Sequence, residues 1–407
     1  MEIDFKENKG FRLLQLYERL SRGGILNDGA VRWLALILAL AQRMPEVKLY
    51  ERKIMKKTKF TMLGMTGSGK TCYLLGMYKK MLGGLKGFSL TTDDDTDGEL
   101  RTRYSKMDDA SLGQKRFPPG TDQTDTYEFT LEYAFSPIMS FAWIDYPGGA
   151  LEEKVQGDLE QYDILKQHIR ESDSLFICVD GALLQGERAN EDKVELIREK
   201  CSSAINPFLS RYLRENHVLP PTALVITKTD LLGTSVTNAD LKEILKEAFS
   251  PLFAQGRNTN SFVTIISVSL GARISENECT GVLAPIGLEI PMFMGIWFAL
   301  CEAVSASENA MAEMKELREA AARERKEEEE SFFLWKDNDK IARLNRNIHE
   351  LDATLQEEEE ALRDASYNAG QLLEHLRKKI ALVYYNGIEY DSFKEAAEMY
   401  RSAARQN

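Results

Sequence analysis

The chain has 407 residues, 52 Lys and Arg against 64 Asp and Glu, a formal net charge of −12 and 43% apolar residues. That length exceeds one typical domain and suffices to bury a full α/β core. The acidic balance argues against wholesale nucleic-acid binding, which needs a basic footprint. The five scattered cysteines, with no C-x-x-C, argue against a disulfide or zinc framework and fit a reduced, cytoplasmic compartment.

The N-terminus, Met1-Glu2-Ile3-Asp4, is acidic and does not read as a signal peptide. Residues 10–45 read as two helices separated by Gly23-Gly24 and Asn27-Asp28-Gly29. The apolar run 31–41 is too short to span a bilayer, so a helical hairpin packed on the following domain is expected. A dimerisation surface or a membrane-lying helix is the sharper alternative. Lys48, Arg52, Lys53, Lys56, Lys57 and Lys59 form one local basic cluster, read as a solvated approach to the first strand rather than a lipid or nucleic-acid patch.

Lys59–Leu63 reads as a buried strand, and Cys72–Met77 opens a helix. Between them Gly64-Met65-Thr66-Gly67-Ser68-Gly69-Lys70-Thr71 satisfies every fixed position of G-x-x-x-x-G-K-[ST]. Glycines there let consecutive backbone N–H groups turn around a phosphate. Lys70 can reach the β and γ phosphates, and the Thr71 hydroxyl can meet Mg²⁺. The helix N-terminus adds its positive end.

About 75 residues separate Lys70 from the next motif. Gly87–Leu90 and a polar helix near 97–111 are expected in that stretch, followed by Phe117-Pro118-Pro119-Gly120-Thr121. Tyr127, Phe129, Leu131 and Tyr133 alternate with polar residues at the period of a strand. The apolar run 139–144 then ends in Asp145-Tyr146-Pro147-Gly148, a D-x-x-G. Its carboxylate can hold Mg²⁺ through water, and the Gly148 N–H can turn toward a γ-phosphate. About 85 residues on, the strand Ala223–Ile226 ends in Thr227-Lys228-Thr229-Asp230. A carboxylate there can accept from guanine N1–H and the N2 amine, a donor pair that adenine lacks. A last strand, Phe262–Ile266, precedes Ser267-Val268-Ser269.

Four such segments in this order, each at the C-terminal end of a strand where ligands of open α/β sheets bind, resemble P-loop GTPases of the translation-factor-related class, which includes Ras-like and dynamin-like proteins. The resemblance covers residues 58–305, and the enlarged insert is most similar to little-studied bacterial GTPases, which often sit beside partner proteins. It implies an α/β fold with a central, mostly parallel sheet, GTP or GDP as ligand, and Mg²⁺. Gly64, Thr66, Gly67, Ser68, Gly69, Lys70, Thr71 and Cys72 would hold the phosphates. Thr227, Lys228, Asp230, Ser267 and Val268 would hold the base. Thr71, Asp145 and a switch threonine would hold the metal, and Lys70, the switch threonine and Gly148 would act on the γ-phosphate. For that threonine Thr121 is favoured and Thr124 is the alternative, with Thr126 the third threonine in reach. The glutamine that follows D-x-x-G in Ras-like enzymes is Gly149 here. Glu152, Glu153 and Gln156 are candidate substitutes, and Arg101, Arg103 and Arg116 are internal arginine-finger candidates. Slow intrinsic hydrolysis, raised by a partner or by self-association, is the expectation.

After a last core helix near 292–306, Glu, Lys, Arg and Ala dominate. Leu344, Ile348, Leu351, Leu355, Leu362, Leu372 and Leu376 trace a coiled-coil seam, interrupted by Glu358. An antiparallel helical arm over 306–380 is expected, turning near Lys336-Asp337-Asn338-Asp339, with Phe332-Phe333-Leu334-Trp335 close to its tip. Residues 382–390 alternate around Asn386-Gly387, the pair favoured in type I′ hairpins. With a helix from Asp391 or Ser392 they would form a small docking element over 381–407. A switch acting on a protein partner through the arm or its tip is the leading reading, with a homodimer left open. The alternatives are a dynamin-like membrane GTPase, disfavoured by the short acidic arm, and a nucleotide-bound scaffold without turnover.

Overall fold

The strand expected at 59–63 forms as β1 (Thr58–Leu63) at the middle of a sheet that has nine strands among the described residues. The computed structural model describes residues 58–407 apart from 121–122, 152–158, 217, 234–235, 255–260, 275–278, 331–336 and 405–407. The chain divides into two units, Met1–Lys57 and Thr58–Asn407. The expected N-terminal helices, Thr121, Glu152, Glu153, Gln156 and the Phe332–Trp335 tip therefore lie outside the described residues.

In spatial order the sheet runs β2 (Phe88–Thr91), β3 (Asp125–Tyr133), β4 (Ser136–Asp145), β1, β5 (Ser174–Asp180), β6 (Thr222–Thr227), β7 (Phe262–Ser267), β8 (Leu382–Tyr385) and β9 (Ile388–Tyr390). The five central strands are parallel, and the pairings outward from them, β2–β3, β3–β4, β7–β8 and β8–β9, are antiparallel. The sheet is thus mixed, which corrects the expectation of a mostly parallel one. For β3–β4 and β8–β9 a tight connection causes this, because a short turn can join only antiparallel neighbours. Ala134 and Phe135 turn β3 into β4 with φ of 49° and 65°, and Asn386 and Gly387 turn β8 into β9 with φ of 49° and 73°.

Alternation along the strands divides the core into two layers. Phe60, Met62, Trp143, Phe176 and Val225 face one side, and Leu63, Ile144, Leu175, Ile177 and Leu224 face the other. The first layer is covered by α1 (Lys70–Leu82) and α2 (Asp94–Asp108) among other elements, and the second by α3 (Leu159–Glu171), α4 (Asn190–Ile197), α5 (Ser203–Asn216) and α6 (Asn238–Ala248). Helix α2 starts earlier than the sequence suggests because the Asp93 carboxylate caps it, accepting from the Thr96 N–H.

Helix α7 (Glu289–Glu330) joins the expected core helix and the charged stretch after it into one rod of 42 residues. Its first half is apolar enough to pass for a membrane span, but 72% of that window is buried inside the protein. Helix α8 (Asn338–Leu376) runs back beside it, starting from the Asp337 cap. Lys340 meets Glu324 at 2.9 Å, Arg318 meets Asp352 at 2.5 Å, and Ser307 donates to Glu358 at 2.8 Å, so the two helices point in opposite directions. Met311, Met314 and Leu355 are buried between them. Glu358, the charged residue in the apolar seam, is paired there by the Ser307 hydroxyl, which donates to its carboxylate. Leu372 and Leu376 at the end of α8 return to the main core.

The C-terminal residues do not stand apart. Strand β8 hydrogen-bonds to β7, and α9 (Phe393–Ala404) buries Phe393, Ala396, Ala397 and Tyr400 in the main core. The Tyr400 hydroxyl donates to the Leu219 carbonyl at 3.0 Å. The expected boundaries at 305 and 380 therefore fall within one unit, the first of them inside α7.

Candidate functional site

At the C-terminal ends of β1, β4, β6 and β7 a cavity of about 240 Å³ opens, and it is here that the four motifs meet. Thr66, Gly67, Gly69, Lys70, Thr71 and Cys72 form its floor. Gly67 and Gly69 take φ of 79° and 91°, the left-handed backbone that glycine adopts without strain. Gly69 is the residue before α1 and has no side chain to cap it, so the first turn of the helix meets the cavity uncovered. Gly64 and Ser68 lie beneath this floor. A Cβ at Gly64 would stand 2.7 Å from Ser68 Oγ and 2.8 Å from Cys178 Cβ. Ser68 is buried, and its hydroxyl has no partner among the described residues.

Lys70 is 6% exposed and curls over its own loop, donating to the carbonyls of Gly64 at 2.7 Å and Met65 at 3.2 Å. Burial pushes its ammonium below the usual lysine range, against an opposing pull from Asp145 among others. Thr71 donates to Asp145 Oδ2 at 2.7 Å. Asp145 is 1% exposed, and its Oδ1 has no partner among the described residues. Burial pushes this carboxyl up, while the Thr71 hydrogen bond and Lys70 pull it down. Asp125 stands opposite Asp145 in the β3–β4 register and also raises it. A hydroxyl and a buried carboxylate with one spare oxygen are hard-oxygen donors of the kind Mg²⁺ takes. No group of three or more His, Cys, Asp and Glu able to hold a metal occurs among the described residues. A cation here would thus need the phosphates and water for its remaining ligands, which is how Mg²⁺ is commonly held.

Gly148 presses on the floor from the side. A Cβ there would lie 2.1 Å from the Thr66 nitrogen, so only glycine fits. Tyr146 points the other way, into the second core layer, and its hydroxyl pairs with His168 Nδ1 at 2.5 Å and with Thr124. Thr124, the alternative switch threonine, is thereby joined to the D-x-x-G segment. Gly149 has open space around it and supplies no group to orient water. Pro118, Pro119 and Gly120 reach the cavity as a roof. Of the arginine candidates, Arg101 binds Asp97, Arg103 binds Glu99 and the Tyr127 hydroxyl, and Arg116 is buried on backbone carbonyls, so each is engaged away from the cavity.

The base side is built on β6 and β7. Thr227 Oγ1 donates to the Ser68 carbonyl at 2.7 Å, and Lys228 Nζ donates to the Gly67 carbonyl at 2.9 Å, so this loop is fastened to the phosphate floor. Lys228 adopts φ of 52° and also pairs with Asp180 Oδ2 at 2.8 Å. Asp180 ends β5 as Asp145 ends β4, an apolar run closed by an aspartate that the sequence displayed and that was not singled out. Asp230 accepts from Ser269 Oγ at 2.7 Å. Ser269, with Leu270, Gly271 and Ile274, lines the cavity. Ser267 does not: it ends β7, exposed and two residues short, which corrects its expected role. Val268 lines the cavity and donates to the Ile226 carbonyl at 2.8 Å.

A family model described as Double-GTPase 2 matches residues 60–267, just over half of the chain. No curated protein matches. Among solved structures, a signal recognition particle receptor complex with GTP from Chaetomium thermophilum is 14% identical, with a TM-score of 0.32 over 53% of this chain and 91% of that one. Translation elongation factor SelB from Methanococcus maripaludis, bound to a GTP analogue, is 16% identical, with a TM-score of 0.26 over 52% of this chain and 30% of that one. A bacterial dynamin pair gives 13% identity and a TM-score of 0.27, covering 100% of this chain and 79% of that one. The family match spans the motifs described above: the chain belongs to the Double-GTPase 2 family and is a P-loop GTPase.

Proposed function

We propose that this protein is a GTP-binding, slowly GTP-hydrolysing switch that acts on a protein partner through its helical appendages. The observation that carries the reading is the fastening of the base loop to the phosphate floor through Thr227 and Lys228, with Asp230 held by Ser269. This holds the Asp230 carboxylate against the loop that would cradle the phosphates, where it would be in place to read guanine. Asp230 would accept from the guanine N1–H and N2 amine while the Lys228 stem packs on the ring. Adenine would leave that half-buried carboxylate poorly paired and be rejected.

Lys70 would leave the carbonyls of its own loop for the β and γ phosphates. Thr71 and Asp145 would hold Mg²⁺, which when bound spreads the phosphate charge. Thr121 or Thr124 and the Gly148 N–H would contact the γ-phosphate side. In hydrolysis, water attacks the γ-phosphorus and the bond to the β–γ bridging oxygen breaks, giving GDP and phosphate. With glycine at position 149, and with Arg101, Arg103 and Arg116 engaged elsewhere, the described residues offer little to orient that water. Slow turnover, raised by a partner or a second copy, follows. The exposed charged faces of α7 and α8 are the surfaces on which a partner would act, and five free cysteines suit a cytoplasmic setting.

Competition between GTP and ATP with Mg²⁺, on wild type and Asp230→Ala, tests the reading when phosphate release is followed in the same samples. GTP preference that collapses in the variant supports it. Equal binding of both nucleotides by the wild type would refute it, and tight GTP without release would leave a scaffold.

A further inference from the structure

Arg116 is 1% exposed and, among the described residues, makes no direct ion pair, with Asp109 the carboxylate that feels its charge from a distance. Taking a guanidinium out of water is costly, and an apolar side chain of similar volume would be cheaper to bury there. What arginine supplies is a rigid planar fork of donors. Nε donates to the Met107 carbonyl at 2.5 Å, at the end of α2. Nη1 donates to the carbonyls of Cys279 at 3.1 Å and Gly281 at 3.0 Å. These carbonyls come from two segments, Met107 nine residues from Arg116, and Cys279 and Gly281 at 163 and 165 residues from it, and each segment leads to one wall of the cavity.

On one side Arg116 is followed at once by Phe117–Gly120, the roof on the phosphate side. On the other, Gly281 donates its N–H to the Arg273 carbonyl at 2.8 Å, and Ala284 donates to the Leu270 carbonyl at 2.7 Å. Leu270 adjoins Ser269, whose hydroxyl holds Asp230. A Cβ at Gly281 would lie 2.0 Å from the Ala272 carbonyl oxygen, so this loop is closely packed on itself. Hydrogen bonds and a packed loop thus run without a gap from the roof to the guanine-reading carboxylate.

Resting on the guanine-nucleotide reading above, we infer that Arg116 is a positioning residue that ties the phosphate-side roof to the base-side loop, so that recognition of the base and closure over the phosphates are one event. It touches no nucleotide itself. Its effect is to make the roof sense whether a base is present.

Hydrogen exchange with guanosine as the probe tests this, because guanosine carries the base and no phosphate. In the wild type, guanosine slows amide exchange both in residues 107–120 and in residues 269–274 and 279–284, the former by about fivefold, the lower end of ordinary site-to-site coupling. In Arg116→Met only the base-side segment slows, and Arg116→Lys, which keeps the charge but loses the fork, behaves like Arg116→Met. A wild type in which guanosine fails to slow both segments overturns the inference, as does an Arg116→Met protein in which both still slow. Melting curves establish that each variant is folded. If neither is, the wild-type result alone decides. Should the wild type bind neither GDP nor guanosine, the guanine reading itself falls. GDP binding with guanosine protection confined to the base side removes only the role of Arg116.

Discussion

Replacing Gly148 by alanine places a methyl group 2.1 Å from the Thr66 nitrogen and 2.5 Å from its Cα, where ordinary Cβ contacts begin at 3.4 Å. The nearest atoms are all backbone of Met65 and Thr66, so no side-chain rotation relieves the clash. The D-x-x-G segment and the phosphate floor must therefore separate by about 1.3 Å at their closest point. A hydrogen bond from the Gly148 N–H to a γ-phosphate does not survive a stretch of that size, since such bonds fade beyond about 3.2 Å. A charge-assisted bond is worth about 1.5–3 kcal/mol, which is roughly a 10- to 100-fold loss of affinity. GDP has no γ-phosphate and should lose far less. Displacement of a fluorescent GDP by unlabelled GDP and by a non-hydrolysable GTP analogue measures both affinities, with a melting curve to gauge the overpacking cost. If the two affinities fell together, or the triphosphate were unaffected, the placement of Gly148 beside the γ-phosphate would be refuted.

In Asp145→Asn the hydrogen bond from Thr71 can persist while the carboxylate charge is lost. The strengthening of nucleotide binding by Mg²⁺ should then fall about tenfold or more, as charge-paired contacts are lost, and binding titrations with Mg²⁺ and with EDTA check it; an unchanged Mg²⁺ dependence would count against the metal assignment. Glu289 is 3% exposed at the start of α7, with Lys80 at 2.6 Å and His375 at 3.2 Å. Burial opposes its ionisation, but the hydrogen bonds from His375 and Lys80 prevail and hold its carboxyl at about 2. A lowered folded-state value gives stability that is complete above the usual glutamate range near pH 4.5 and is lost as pH falls toward 2. The contribution is about 3 kcal/mol. Denaturant unfolding across that window should show it, and Glu289→Gln should flatten the slope; an identical slope in the variant would remove Glu289 as its source.

The phosphate loop, D-x-x-G and T-K-x-D were legible because each is local: a few residues at fixed spacing, at the end of an apolar run. Gly64, Lys70, Asp145 and Lys228 occupy one site for that reason. The base-side role was given to Ser267, two residues before Ser269, because the end of β7 is set by its pairing with β6, where Ser267 still faces Ile226. Nothing in residues 262–269 alone marks that last ladder position. The antiparallel edges were harder still. That β8 would add to β7 depends on contacts across more than 100 residues, and its own sequence reads equally well as a free hairpin. Arg116 was read as an arginine-finger candidate, and its burial was hidden for a related reason, since an arginine signals burial only through the carbonyls that tertiary packing brings to it. Asp180, by contrast, was visible and overlooked: Leu175–Val179 is an apolar run ended by an aspartate.

Leu288, which lines the cavity and accepts a hydrogen bond from Tyr73 at 2.6 Å, is the residue immediately before α7. A wall of the pocket is thus also the root of a helix of 42 residues, about 63 Å long at 1.5 Å per residue. No loop lies between them to absorb movement. The return helix α8 is anchored in the same core through Leu372 and Leu376, so the pair has both feet on one foundation. Geometry of this kind works as a lever with a short inner arm: a tilt of about 5° at the root carries the far end of a 63 Å rod by on the order of 5 Å.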